Sequence, residues 1–283
     1  MAFVASSEIE TETAAAWPAP PSRAVLAWRD VNEGWHKRWM WRALALQDIK
    51  LRYRGSVLGP FWLTISTLSM VVAMGLIYPR LFRVDTARYI PYLAIGLILW
   101  QLLQSLFTDG CDTFLREESV IQQVPIPFSI HAYRCVYRNF IVLAHNLAIL
   151  PLGVAVLGMP ITWHLVEIVP GVLLLAINGM WISILFGLVS ARFRDVPPIV
   201  GSFLQVLFFL TPVMWPLEAF GSDWRSIVGL NPFFAAIDVV RAPLLGEAPT
   251  ESSWIVLLVT TAIGLVVSFA AFARFRSRIA YWI

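Results

Sequence analysis

Lys50, Arg52 and Arg54 fall within five positions of the stretch KLRYRGSVLGPFW, and an apolar run opens at Phe61. Cations at that density suit a phosphate or diphosphate, which they hold through charge-assisted hydrogen bonds, the guanidinium fork best of all. On a helix the three spread around the axis, so at most two face one ligand. The plain alternative is anchorage to anionic lipid. Leu58 and Gly59 follow, before Pro60. Glycine permits backbone angles that other residues avoid, and proline suits the first turn of a helix. A mobile turn beside a cation cluster makes Leu58-Gly59 a candidate gate. Lys50, Arg52 and Arg54 are then the candidate site for the headgroup of a phosphorylated ligand.

Other charged and aromatic groups offer different chemistry. Arg116, Glu117 and Glu118 lie in DTFLREESVIQQVPIPFS (112–129), a short helical stretch that Pro125 and Pro127 end. The loop is long for a plain connection, which favours docking of a partner chain over a solvated turn. Asp238 and Arg241, three residues apart, form a pair that lowers the cost of burial. Gln205, Phe208 and Phe209 combine aromatic faces with one polar group, which would favour a ligand with apolar C–H faces sliding along a channel; lipid-facing phenylalanine is the alternative. Asp109 and Asp112 end an apolar stretch and read as solvated headgroup-level carboxylates rather than a proton relay. His145, Asn146 and Asn178 read as interhelical hydrogen-bond partners, and Gly179, Ser183, Gly187 and Ala191 as a close-packing row.

No catalytic set emerges. Acid–base or metal chemistry would need carboxylates clustered with each other or with histidine, and two cysteines 24 positions apart make no metal pattern. No metal and no catalytic residue is expected.

The elements that carry these residues are apolar helices. The 283-residue chain is 58% hydrophobic and 14% charged, with a mean hydropathy of +0.71. Six stretches lack Asp, Glu, Lys and Arg and approach the roughly 20 residues that cross a bilayer: 61–79, 89–108, 140–163, 168–191, 196–217 and 252–273. An all-α membrane protein with six transmembrane helices follows. Sixteen Lys and Arg lie on the side of the termini against five opposite, which puts both termini in the cytoplasm. The basic segment 35–54 has two apolar rows and reads as an interfacial helix, one row toward membrane lipid and one toward the spans. It opens a membrane domain of residues 35–283. Residues 1–34 are expected to form a disordered extension; the first 22 are acidic, small and proline-rich, and no cleaved signal peptide is indicated. Residues 232–245 are too polar to span and too long for a turn, so they form either an outer re-entrant helix or a surface helix.

Three ordered stretches carry a family resemblance: QDIKLRYRGSVLGPFW, SARFRDVPPIVGSFLQVLFFLTPVMWP (190–216) and LNPFFAAIDVVRAPLLG (230–246). Together they resemble the permease subunits of type-2 ABC exporters that move O-antigen, capsule and teichoic acid polysaccharides. The resemblance implies a homodimer with two copies of a separate ATP-binding cassette subunit, which holds the ATP and Mg; this chain binds no cofactor. It implies export of a lipid-linked polysaccharide across a bacterial inner membrane, a gate at Leu58-Gly59, an outer re-entrant gate and no nucleic-acid partner. The residues agree on the motor: both lysines, Lys37 and Lys50, lie outside any Gly-Lys-Ser/Thr phosphate loop. Two other readings stay open, an integral-membrane enzyme of lipid-linked sugar metabolism and a type-2 exporter of drugs or small lipids.

Overall fold

A computed structural model describes residues 21–56, 59, 61–148, 150–151, 160–216 and 227–283, and among them the regular structure is entirely helical. In chain order the helices are α1 (Arg23–His36), α2 (Arg38–Arg52), α3 (Phe61–Phe82), α4 (Thr86–Cys111), α5 (Glu118–Gln123) and α6 (Ser129–Leu147). They continue with α7 (Ile168–Arg192), α8 (Val196–Leu210), α9 (Pro232–Leu244), α10 (Glu251–Phe275) and α11 (Ile279–Trp282).

Local chemistry sets several boundaries. Ser22 Oγ accepts from Val25 N at the start of α1, Asp85 caps α4, and Asn231 caps α9 through Phe233 N at 2.9 Å. Pro232 stands in the first turn of α9, where its missing N–H costs nothing.

The core forms around α4 and α7, with Leu93, Ile98, Leu99, Leu106 and Leu175 buried together with Ile237 and Val239 of α9. Small residues let the two long helices close on each other. A Cβ on Gly179 would come within 2.9 Å of Leu106, and one on Gly187 within 3.2 Å of Gly110 O, both in α4. The small-residue row of α7 is thus a packing feature.

Among the described residues four helices are long and apolar enough to cross a membrane: Thr64–Leu81, Thr86–Cys111, Trp163–Arg192 and Glu251–Trp282. They match the first, second, fourth and sixth expected spans. The fifth differs. Expected over 196–217, α8 stops at Leu210 after 15 residues, short of a full crossing. Thr211–Pro216 leaves the helix because other elements take its carbonyls: Tyr92 Oη donates to Pro212 O and Trp215 O, and Tyr89 Oη to Met214 O at 2.6 Å. Thr211 and Val213 are buried, so this irregular backbone is enclosed by protein, which is how such backbone is tolerated at membrane depth. The third expected span, 140–163, begins inside α6 and continues into residues outside those described.

The amino-terminal region also departs from expectation. Residues 23–34, assigned to a disordered extension, are helical and packed: Ala27, Asp30 and Gly34 form the buried face of α1. The sequence signal was masked by the acidic, proline-rich stretch before it. The interfacial helix expected over 35–54 starts one turn into that range, since Lys37 breaks α1 from α2.

Candidate functional site

Where α2, α4, α6 and the 112–128 loop meet, three guanidinium groups and four carboxylates interlock. Arg134 and Arg138 stand one turn apart on α6, a spacing that puts both on one helix face. Asp48, near the end of α2, receives Arg134 Nε at 2.8 Å and Arg138 Nη1 at 2.8 Å. The other side of Arg134 reaches Glu117 in the loop, Nη1 to Oε2 at 2.7 Å. Arg138 Nη2 meets Asp109 at 3.0 Å in the last turn of α4, where Asn139 Nδ2 also donates to Asp109 at 3.1 Å. Arg116 joins Asp112 at 2.6 Å and Asp109 at 3.5 Å.

Arg134 is therefore the link between the loop and α2, and Arg138 the link between α2 and α4. The site is partly closed to water: side-chain exposure is 11% for Arg138 and 9% for Asp109 but 50% for Arg116. Burial pushes the Asp48 carboxyl up, but the hydrogen bonds and charges of Arg134 and Arg138 outweigh it and hold the group below its ordinary range. His131, in the first turn of α6, lines the same small cavity. It is 2% exposed, and neither ring nitrogen has a hydrogen-bond partner among the described residues. Burial, with the charge of Arg134 beside it, pushes its imidazole down to about 4. The arrangement can hold helices together in one geometry and release them in another; it has no nucleophile aligned with a base. Among the described residues no group of three or more His, Cys, Asp or Glu could hold a metal ion.

The sequence-derived candidates disperse. Lys50, Arg52 and Arg54 are exposed at the end of α2 and beyond, and no carboxylate pairs with them among the described residues. Gly59 has φ +54, the left-handed conformation that favours glycine, with open space around it. Leu58 lies outside the described residues. The triad of the loop divides: Arg116 and Glu117 belong to the charge cluster, while Glu118 is exposed at the start of α5. Gln205 and Phe209 are exposed on α8, but Phe208 turns inward onto Trp100, with ring centroids 5.3 Å apart.

Asp238 and Arg241 are not paired with each other. Asp238 Oδ2 accepts from Thr250 N, Thr250 Oγ1 and Ser253 Oγ at 3.1, 3.0 and 2.7 Å, because the start of α10 offers it three donors. Arg241 is drawn instead to the freed carbonyl of Pro212 at 2.8 Å and lies 4.0 Å from the centroid of the Tyr92 ring. Asp109, expected to be solvated, is buried among its partners. Asn146 bonds Gln101 and Thr64 across helices, and Asn178 bonds Thr261. The cluster of Asp48, Arg134 and Arg138 was missed in the sequence. The available signal was an arginine pair at i, i+4 on a helix with no acid of its own.

Irregular enclosed backbone, apolar crossing helices and a charged junction at one end of them define a polytopic membrane protein whose helices are keyed to a loop. The chain belongs to the ABC-2 type transporter family, whose model matches residues 40–245. It is similar to the O-antigen export system permease protein RfbA of Myxococcus xanthus, 28% identical over 258 residues that cover 88% of this chain and 96% of that protein. It is also similar to two proteins of the same description from Klebsiella pneumoniae, 24% and 25% identical, each covering 83% of this chain and 91% of its relative.

Proposed function

We propose that this chain is the membrane permease subunit of an ATP-driven exporter that carries a lipid-linked polysaccharide of the O-antigen kind out of the cytoplasm. The observation that carries this reading is the near full-length match to permeases of that description. The subunit pairs with a second copy, and two copies of a separate ATP-binding subunit hydrolyse the nucleotide with Mg. Six crossings, with α8 and its unwound end as the fifth, put both termini in the cytoplasm of an inner membrane. The fully buried run 234–243 of α9 supports an outer re-entrant helix enclosed by protein.

In this scheme the 112–128 loop meets the ATPase, with Glu118 on its exposed side. Arg134 carries its displacement from Glu117 to Asp48, so α2 moves with the loop. At the end of α2, Lys50, Arg52 and Arg54, which have no carboxylate partner among the described residues, receive the diphosphate headgroup, and the Leu58-Gly59 turn closes the path. Gln205 and Phe209 remain candidates for the wall of the path.

Co-reconstitution with its ATPase tests the reading. Vesicles holding both subunits should move a lipid-linked glycan across the bilayer on ATP addition, and the permease alone should hydrolyse no ATP. Conversion of the glycan by the permease alone would favour the enzyme reading. Topology has its own check: cysteine placed at Glu247 should react with an impermeant reagent on intact cells, and cysteine at Ser119 should not.

A further inference from the structure

The amino-terminal helix α1 precedes the family match, which begins at residue 40, yet it is fixed firmly to the rest. Asp30, fully buried, accepts from Phe128 N and Ser129 N at 3.2 and 2.9 Å, neutralising the amino terminus of α6. The same carboxylate receives Arg276 Nε at 2.7 Å, just past the end of α10. Ser129 Oγ returns a bond to Asp30 O at 2.7 Å, and a Cβ on Gly34 would overlap that hydroxyl. One face of α1 is thus committed to the ends of two long helices.

The opposite face is exposed and of a particular composition. Trp28 and Trp35, 64% and 51% exposed, stand seven residues apart on one side of α1, where Trp35 also meets the Tyr133 ring at 5.8 Å, and Trp39, 71% exposed, follows on α2 past the break at Lys37. Arg23, Arg29, Arg38 and Arg42 are exposed around them. Every acid between residues 23 and 54 is already occupied: Asp30 by Arg276, Glu33 by Lys37 at 2.6 Å, Asp48 by Arg134 and Arg138. None of the four arginines has a carboxylate partner among the described residues. Indole rings flanked by uncompensated arginine are the composition of a helix seated at a bilayer interface.

We propose that α1 and the first half of α2 form a docking face for anionic phospholipid headgroups, held in register by the Asp30 clamp. An excess of four cations favours acidic over zwitterionic lipid, and the indoles settle at the headgroup boundary. The face is separate from Lys50, Arg52 and Arg54, which lie beyond it. The proposal rests on the chain being a membrane permease but not on its cargo.

The test uses the full chain with its ATPase in vesicles of phosphatidylcholine, with or without an equal share of phosphatidylglycerol. Cys111 and Cys135 are buried, so an environment-sensitive fluorophore can be directed to Asn32→Cys on the exposed side of α1. Quenching by headgroup-level spin-labelled lipid should be strong with phosphatidylglycerol, weak without it, and reduced by salt. Each of Arg23→Gln, Arg29→Gln, Arg38→Gln and Arg42→Gln should weaken the lipid preference about fivefold. Equal quenching in both vesicles would overturn the proposal. So would loss of ATPase co-purification in the fourfold variant with the lipid preference intact, which would assign the face to the motor. Glycan export read in the same vesicles separates failure here from failure of the exporter reading.

Discussion

The two ends of α4 solve the problem of buried charge in opposite ways. At its last turn, Asp109 enters a cluster of three arginines and four acids, one more carboxylate than guanidinium, with Arg116 half open to water. At its first turns, Tyr89 and Tyr92 hold the unwound end of α8, and a buried cation there, Arg241, has a carbonyl and aromatic faces for partners. Ion pairs with several interchangeable partners can exchange at low cost as helices shift. A buried cation held by a backbone carbonyl and the rings of Tyr92 and Phe234 has fewer arrangements open to it. The first end suits a joint that moves, the second a joint that holds the chain while it does.

The largest expected effect breaks the first joint. Asp109→Ala leaves Arg138 buried with only Asp48 as counter-ion, and loss of one partner of a buried pair costs about 3–5 kcal/mol. The melting temperature of the purified permease in detergent should fall sharply, and Asp109→Asn, which keeps a hydrogen bond, should lose less.

His131 sharpens the comparison through pH. Its folded pKa of about 4 lies below the ordinary value near 6.5, so the unfolded chain takes up the proton first. Stability should fall as pH drops from about 6.5 toward 4, with a slope of up to about 1.4 kcal/mol per pH unit. Asp48 contributes in the same direction only at lower pH, since its carboxyl titrates below its ordinary range. Melting curves of His131→Gln across this window should lose most of the dependence above pH 4.5 or so.

The second joint should respond more mildly to charge and more to shape. Asp238→Asn keeps the carbonyl that Thr250 and Ser253 donate to and should cost about 1–2 kcal/mol. Arg241→Lys retains the charge but loses the guanidinium seated over the Tyr92 ring, and a cost of about 1 kcal/mol is expected. Equal sensitivity of the two joints to charge-preserving substitution, read by melting, would dissolve the distinction.

Much of the fold was legible because hydropathy carries it: four expected spans coincide with the four long helices. The early end of α8 was not, since Thr-Pro-Val-Met-Trp-Pro is apolar enough to extend the run and its unwinding depends on tyrosines more than 100 residues away. The site was legible in parts. Gly59 announced its left-handed turn, and the loop's charges were visible, but whether Glu117 or Glu118 faced inward depended on Arg134 of another helix. Spacing of three suggested that Asp238 and Arg241 pair, and better partners from distant segments prevailed. Composition found charged residues and not their counter-ions.

The central claim is that Arg134 transmits movement of the loop to α2, and one substitution addresses it. In vesicles containing the permease and its ATPase, hydrolysis with and without lipid-linked glycan should be compared for the native protein and Arg134→Gln. Arg134→Gln gives up the ion pairs to Glu117 and Asp48 while Arg138 still holds α2 to α4. The account predicts an assembled complex with its basal ATP turnover, no stimulation by glycan and no export. Stimulation and export at native levels in Arg134→Gln would contradict it.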